Sequence, residues 1–406
     1  MQLNSKLFIL LMYSLIYIAC TIVYSMQGVI WGDLRGRVIN DSMLLYFSLG
    51  QVLISIVIYY LATEAIGRVV FVRPKFNFPK CTHVVFLFFF ISFMFFSVKY
   101  NYGFSSISVD TNVPRYLLQV YIILQPVFLG YIYSAYYSRE VNKLYYFNVL
   151  LILALTVYQG WLASFIIFAV IYFDRLKGIV RKNKIVSIAL FIFSAILVPV
   201  LSFVKSIMLQ FNQSGEQERS FSDLYYARLS FLNINNVSDF FSHYVLTVLG
   251  RFEHVSIVYY INLQGDALHN HVRSFYQEGW LPEFIYGVFG FTIDKPYVQK
   301  YVANLIEPLY TWQVQIPVVA RFIYLPAGEL CLMTLAILAV ILISNFIVKL
   351  ISSSQSLSSL NWVALFLFLY HGWFYSVVLW MQTLLMLLFL LSFYKMLLRL
   401  SHNNKG

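Results

Sequence analysis

The chain has 406 residues, of which 60% are hydrophobic, 19% aromatic and only 11% charged, with a mean hydropathy of +0.74. A soluble globule of this size must cover itself with polar surface, so the composition excludes a soluble domain and makes the bilayer the solvent. The net charge of +11 does not point to nucleic acid, because the basic residues are spread between apolar segments, as the positive-inside rule requires, and form no phosphate-binding stripe.

Lys6 ahead of the apolar run Leu7–Tyr24 has the charge arrangement of a signal peptide. No small-x-small cleavage site follows it, which predicts a retained first helix. Since a spanning helix needs about 20 apolar residues, further spans are predicted near 43–66, 83–98, 116–138, 185–204 and 322–348. Two apolar blocks, 145–173 and 361–398, are too long for one ordinary span. Gln159-Gly160 and His371-Gly372 interrupt them with polar, flexible residues, so each block is read as a hairpin of two short helices. The expected total is about ten spans. Cys20, Cys81 and Cys331 stand singly without C-x-x-C spacing and read as small hydrophobes. The Ser-rich run 352–356 reads as a turn.

Orientation follows from the flanking cations. One side collects Lys6, Arg68, Arg73, Lys75, Lys80, Arg139, Lys143, Arg175, Lys177, Arg181, Lys182, Lys184, Lys349, Lys395, Arg399 and Lys405, whereas the short loops of the other hold only Arg35, Arg37, Lys99 and Arg115. The basic side is expected to be cytoplasmic, with both termini inside. Residues 206–321 then lie outside, and their seven basic and ten acidic residues set them apart from a strongly basic remainder. Within them 221–232, 239–263 and 297–307 show helical spacing between Asn, Gly and Pro clusters. The expected architecture is therefore all-α and polytopic. It comprises a bundle of about seven helices over 1–204, a large, mainly helical external loop domain over 205–321, and about three helices with a tail over 322–406.

Nucleotide-driven chemistry is not indicated, for there is no G-x-G-x-x-G, P-loop, H-E-x-x-H, G-x-S-x-G or metal-holding D-x-D. The densest polar group is Gly250-Arg251-Phe252-Glu253-His254, inside the apolar stretch 244–261. On a helix Arg251 and His254 share a face at i, i+3. Arg251 then either meets an anionic ligand, which its planar fork suits, or pairs with a carboxylate such as Glu253. A second cluster, His269-Asn270-His271-x-Arg273, lacks a third well-spaced metal ligand, so no metal site is expected, and it reads as a sugar or phosphate site or as a turn. Glu329 stands just inside an apolar helix, where an ionisable group is either functional or held at the helix N-terminus by the dipole. The aromatic residues of the loop fit an interfacial belt or platforms for sugars.

Arg251-Phe252-Glu253, then a Pro282 tract leading to Asp294-Lys295-Pro296, then Gly328-Glu329 before a span resemble the motif order of the Wzy-type polymerases of O-antigen and capsule synthesis. The number of spans, the cytoplasmic termini and the dominant external loop resemble them as well. Where that family has an Arg soon after the Pro, this chain has Pro282-Glu283-Phe284, leaving Arg273 or Arg321 to take its place. The resemblance implies a GT-C-like, metal-independent, cofactor-free transferase in the bacterial inner membrane. Its substrates would be repeat units on undecaprenyl pyrophosphate, and a Wzz-type chain-length regulator would be its partner. A lipid pyrophosphate is already a good leaving group, so such an enzyme needs cations for its charge and a base for the attacking hydroxyl. Arg251, aided by Arg228 and Arg273, is expected in the first role, and His254, Glu253 or His271 in the second. His269, Lys295, Arg321 and Glu329 complete the expected binding set.

Two other readings share parts of this pattern. An O-antigen ligase shares the architecture, and the Leu268-His269-Asn270-His271 run resembles the His-Asn stretch of ligases. A flippase or transporter would instead carry charges buried at mid-membrane.

Overall fold

The structure, a computed structural model, describes residues 4–31, 34, 36–70, 72–76, 78–79, 81–103, 113–161, 163–182, 200, 203, 236, 239–240, 245, 249–250, 252–271, 301–303 and 314–403. Among these the chain is helical, with a single isolated bridge between Val29 and Val38 and no strand. In chain order the helices are α1 (Ser5–Gln27), α2 (Ser42–Val69), α3 (Thr82–Tyr100), α4 (Arg115–Leu124), α5 (Pro126–Tyr136), α6 (Lys143–Tyr158), α7 (Ala163–Ile171), α8 (Phe173–Lys182), α9 (Val255–His271), α10 (Val318–Tyr324), α11 (Ala327–Ile351), α12 (Gln355–Leu365) and α13 (Phe374–Asn403). Six of the described segments are long and apolar enough to cross a membrane: α1, α2, α3, the joined α4 and α5, α11, and α13 as far as Leu397. The chain is an all-α membrane protein.

The burial pattern of α1 shows why the bilayer is its solvent. Leu10, Tyr13, Tyr17, Cys20 and Tyr24 are buried at spacings of three and four, forming one inner stripe, while Leu11, Leu15, Ile18, Ile22 and Met26 form an exposed stripe that is just as apolar. In water that outer stripe would be costly; against lipid tails it is free. Helix α2 repeats the device, burying Leu45, Ser48, Val52, Ile56, Tyr59 and Thr63 and exposing Ile54, Val57, Ile58 and Leu61.

Several boundaries have local causes. Pro126 brings no N–H, which separates α4 from α5 at Gln125, a residue with φ 45°. The carbonyl left open at Ile122 accepts from the side-chain amides of Gln125 (2.6 Å) and Gln382 (2.8 Å). The expected breaks at Gln159-Gly160 and His371-Gly372 are present, with Gly160 at φ 74° and Gly372 at φ 82°. The second half of the later block is longer than expected, since α13 runs on to Asn403, and the first half starts earlier, at Gln355. The span expected over 322–348 begins at Ala327, because Pro326 caps the new helix, and α10 precedes it as a separate short element. The span expected over 185–204 and the loop helix expected over 221–232 lie outside the described residues, apart from Val200 and Phe203; of 297–307 only the helical 301–303 are described.

The chain divides into two compact units, one of residues 1–78, 122–128 and 250–406, the other of 79–121 and 129–249. In the second, α3 lies along α6, Phe86 stacks on Tyr133 at 4.6 Å, and Asn148 donates to the Tyr133 hydroxyl at 2.9 Å. In the first, α9 lies along α2, with Asn262 donating to Ser48 (3.0 Å) and Gln51 (2.9 Å).

Candidate functional site

In the first unit, Glu253, His254, His371 and Arg321, the buried Asp, Glu, His, Lys and Arg residues among the described ones, gather near the N-terminus of α9. Glu253, 2% exposed, is where the helix predicted over 239–263 breaks, and the break has a local reason. The carboxylate accepts from the backbone N–H of Ser256 at 3.0 Å and from the Ser256 hydroxyl, and so satisfies a donor in the first turn of α9. Tyr24 of α1 also donates to it at 3.3 Å. Burial nonetheless pushes this carboxyl up to about 7 against the lowering effect of those hydrogen bonds. Glu253 and His254 precede α9 and are not part of it; Arg251, expected to share a helical face with His254, lies outside the described residues.

His254 is the centre of a relay. Its Nδ1 is 3.2 Å from the Tyr17 hydroxyl, and its Nε2 is 2.9 Å from Nδ1 of His371. Both imidazoles are almost wholly buried. Burial lowers the His254 pKa to about 3, and that of His371 is lowered by burial and then by the neighbouring His254. Neutral imidazole has one donor and one acceptor nitrogen, so in one tautomeric set His371 donates to His254 and His254 donates to Tyr17, leaving Nε2 of His371 a bare lone pair. That nitrogen is buried and hydrogen-bonds to nothing among the described residues. Around it stand Tyr13, with ring centroids 5.2 Å apart, and Trp373, at 6.1 Å. The Tyr13 hydroxyl and the Trp373 Nε1 are likewise buried without a hydrogen-bond partner among the described residues.

Arg321 approaches from α10, fully buried. Its Nε and Nη2 donate to the carbonyl of Ile316 at 3.3 and 3.1 Å, and its guanidinium lies 4.2 Å from the centre of the Phe374 ring. Burial lowers its pKa to about 10, so it stays a cation at neutral pH. Glycine at 372 lets these groups meet: a Cβ there would stand 1.9 Å from the Ile316 carbonyl oxygen and 3.2 Å from Arg321 Nη2. The turn after His371 therefore packs against the guanidinium.

Of the residues expected from sequence, His254, Glu253 and Arg321 thus fall in one buried region. His269 does not: fifteen residues further along α9, roughly 22 Å at 1.5 Å per residue, its Nδ1 meets the carbonyl of Tyr324 at 2.8 Å and ties α9 to the end of α10. Glu329 occupies the first turn of α11, where the helix dipole favours a carboxylate. His271 closes α9 and its side chain is not described; Arg228, Arg251, Arg273 and Lys295 lie outside the described residues. His371, Tyr17 and Tyr24 were not singled out by motif. One signal did point to His371, an ionisable residue within an apolar block, but it reads equally as turn chemistry.

No protein-family model, curated protein or solved structure matches the chain.

Proposed function

We propose that this protein is an inner-membrane polymerase that joins undecaprenyl-pyrophosphate-linked oligosaccharide units on the periplasmic side, without metal or cofactor. This reading includes about ten spans, cytoplasmic termini and an external loop domain. The observation that carries it is the buried Nε2 of His371, without a hydrogen-bond partner among the described residues, at the end of the Tyr17, His254 and His371 relay, with the Arg321 cation against the following turn at Gly372. In this reading Nε2 of His371 accepts the proton of the attacking sugar hydroxyl as its oxygen bonds to the anomeric carbon of the growing chain. The bond from that carbon to the lipid pyrophosphate breaks, and its electron pair leaves on the pyrophosphate. The Nδ1 proton of His371 moves to His254, so the positive charge is shared over two imidazoles near the Glu253 carboxylate. Arg321 supplies fixed positive charge toward the departing pyrophosphate, with Arg251, Arg228 and Arg273 contributed by the loop.

Incubating the purified protein with lipid-linked repeat units tests this. A ladder of products that disappears in His371→Ala supports it; no ladder from wild type, or an unchanged ladder from the variant, rejects it.

One observation favours a second reading, proton-coupled transport. Tyr17 stands ten residues before the end of α1 at Gln27, about 15 Å deep at 1.5 Å per residue, and a chain of ionisable groups at such depth also suits a proton path. Substrate uptake into vesicles that follows an imposed pH gradient, with no ladder, would select it.

A further inference from the structure

A second polar site lies at other ends of the same helices. Helix α1 begins, α2 ends, α11 ends and α12 begins around a cavity of about 180 Å³ lined by Lys6, Glu64, Arg68, Asn345, Lys349 and Ser358, among others. A water molecule's share of liquid is about 30 Å³, so the space admits far more than one. Its charge balance is uneven. Lys6 is 2.5 Å from Glu64, the one carboxylate in the lining, and the two cancel. The Lys349 ammonium donates to the backbone carbonyls of Gly67, at 2.6 Å, and Val70, neither of which carries a formal charge. Arg68 is exposed and pairs with no carboxylate among the described residues.

Among the described residues, two cations that pair with no carboxylate face one cavity between helix ends. Holding Lys349 as a cap on the last turn of α2 accounts for its position, but not for Arg68 or for the open volume. Cationic pockets between membrane helices on the basic side of a protein take phosphate oxyanions, for which the arginine fork and the lysine point charge are the usual donors.

We propose that this cavity is a phosphate-binding site, in which Arg68 and Lys349 hold the oxyanion while Lys6 is shared between it and Glu64. The phosphate is either free in solution or the headgroup of an anionic lipid. This site does not depend on the polymerase reading.

The test uses the full-length protein in nanodiscs of pure phosphatidylcholine. Thermal stability is followed while inorganic phosphate is added against chloride at equal ionic strength, and then in nanodiscs containing phosphatidylglycerol, with retained lipid counted by native mass spectrometry. A saturable, phosphate-specific rise in Tm in phosphatidylcholine identifies the free ion; one retained phosphatidylglycerol per protein with no response to inorganic phosphate identifies the headgroup. Arg68→Gln, at an exposed position where folding is not at stake, should weaken the response about tenfold, the scale of one charge-assisted hydrogen bond. Glu64→Gln should strengthen it, because the competing carboxylate is gone. A purely structural ion pair predicts a lower Tm for Glu64→Gln without phosphate and no gain in the phosphate response. Equal responses to chloride and phosphate with no retained lipid, or identical behaviour of wild type, Arg68→Gln and Glu64→Gln, would overturn the proposal.

Discussion

Nε2 of His254 and Nδ1 of His371, from residues 117 positions apart, lie 2.9 Å from each other in the interior of the protein. Two imidazoles in contact cannot both carry a proton on the facing nitrogens, so the pair takes up one charge and shares it. This makes His371, whose other nitrogen is buried without a hydrogen-bond partner among the described residues, the residue on which the proposed chemistry turns.

Replacing His371 with Ala should therefore lower product formation by about 10²-fold, the low end for a positioned base, because burial and His254 hold this imidazole well below its ordinary pKa. The measurement is the rate of ladder growth from lipid-linked units. His254→Ala should reduce it less, since Nε2 of His371 survives that change. A greater loss for His254 than for His371 would reverse the assignment of the base.

Stability should depend on pH with two opposed contributions. His254 falls from 6.5 to about 3 on folding, so between those values the unfolded chain binds the proton that the folded chain refuses, and stability is lost as pH falls. His371 is lowered as well and acts in the same direction. Glu253 rises from 4.5 to about 7, so the folded chain keeps its proton in that window and stability is lost as pH rises. Thermal melts across the range should show a fall on acidification that begins near pH 6.5, where the two histidines outweigh Glu253, and steepens below about 4.5, where only the histidines act, together with a shallower decline from about 6.5 to 7. His254→Asn should shrink the acid limb and Glu253→Gln should flatten the other. An acid limb that is undiminished in His254→Asn counts against the buried relay.

Gly372→Ala should be severely destabilising. Its φ of 82° disfavours any side chain, and the new Cβ would meet the Ile316 carbonyl oxygen at 1.9 Å. A loss above about 2 kcal/mol is expected, counting both the strained backbone and the displaced carbonyl. Gly50→Ala in α2, where nothing lies within 4 Å of the added Cβ, should instead stabilise by up to about 1 kcal/mol. Comparable melting temperatures for the two variants would show that the 371–372 turn has room to move.

For Arg321→Gln the expected cost is about 1–3 kcal/mol, as the bonds to Ile316 and the contact with Phe374 are lost. Arg321→Lys should keep the charge but not the fork, giving an intermediate melting temperature. Were both variants as stable as wild type, the guanidinium would not be what holds α10 to the 371–372 turn.

The sequence by itself determined the class of the molecule and several of its breaks. Composition and the length of the apolar runs fix an all-α membrane protein, because only helices satisfy every backbone group within one segment in lipid. Gln159-Gly160 and His371-Gly372 mark boundaries through covalent chemistry that acts within a few residues; Pro126 and Pro326 act in the same local way, although the apolar runs 116–138 and 322–348 read as continuous across them. Tertiary structure decided what periodicity cannot report. Glu253 could be read in the chain as base or as counter-ion to Arg251; only the fold shows its oxygens on Ser256 and Tyr24. Arg321 and His269 were equal candidates in the chain, yet one lies against the 371–372 turn and the other on the Tyr324 carbonyl at the end of α10. His371 looked like a turn residue because its partner, His254, is far away in sequence. A hydrogen bond between side chains depends on how helices pack, and no local pattern encodes that.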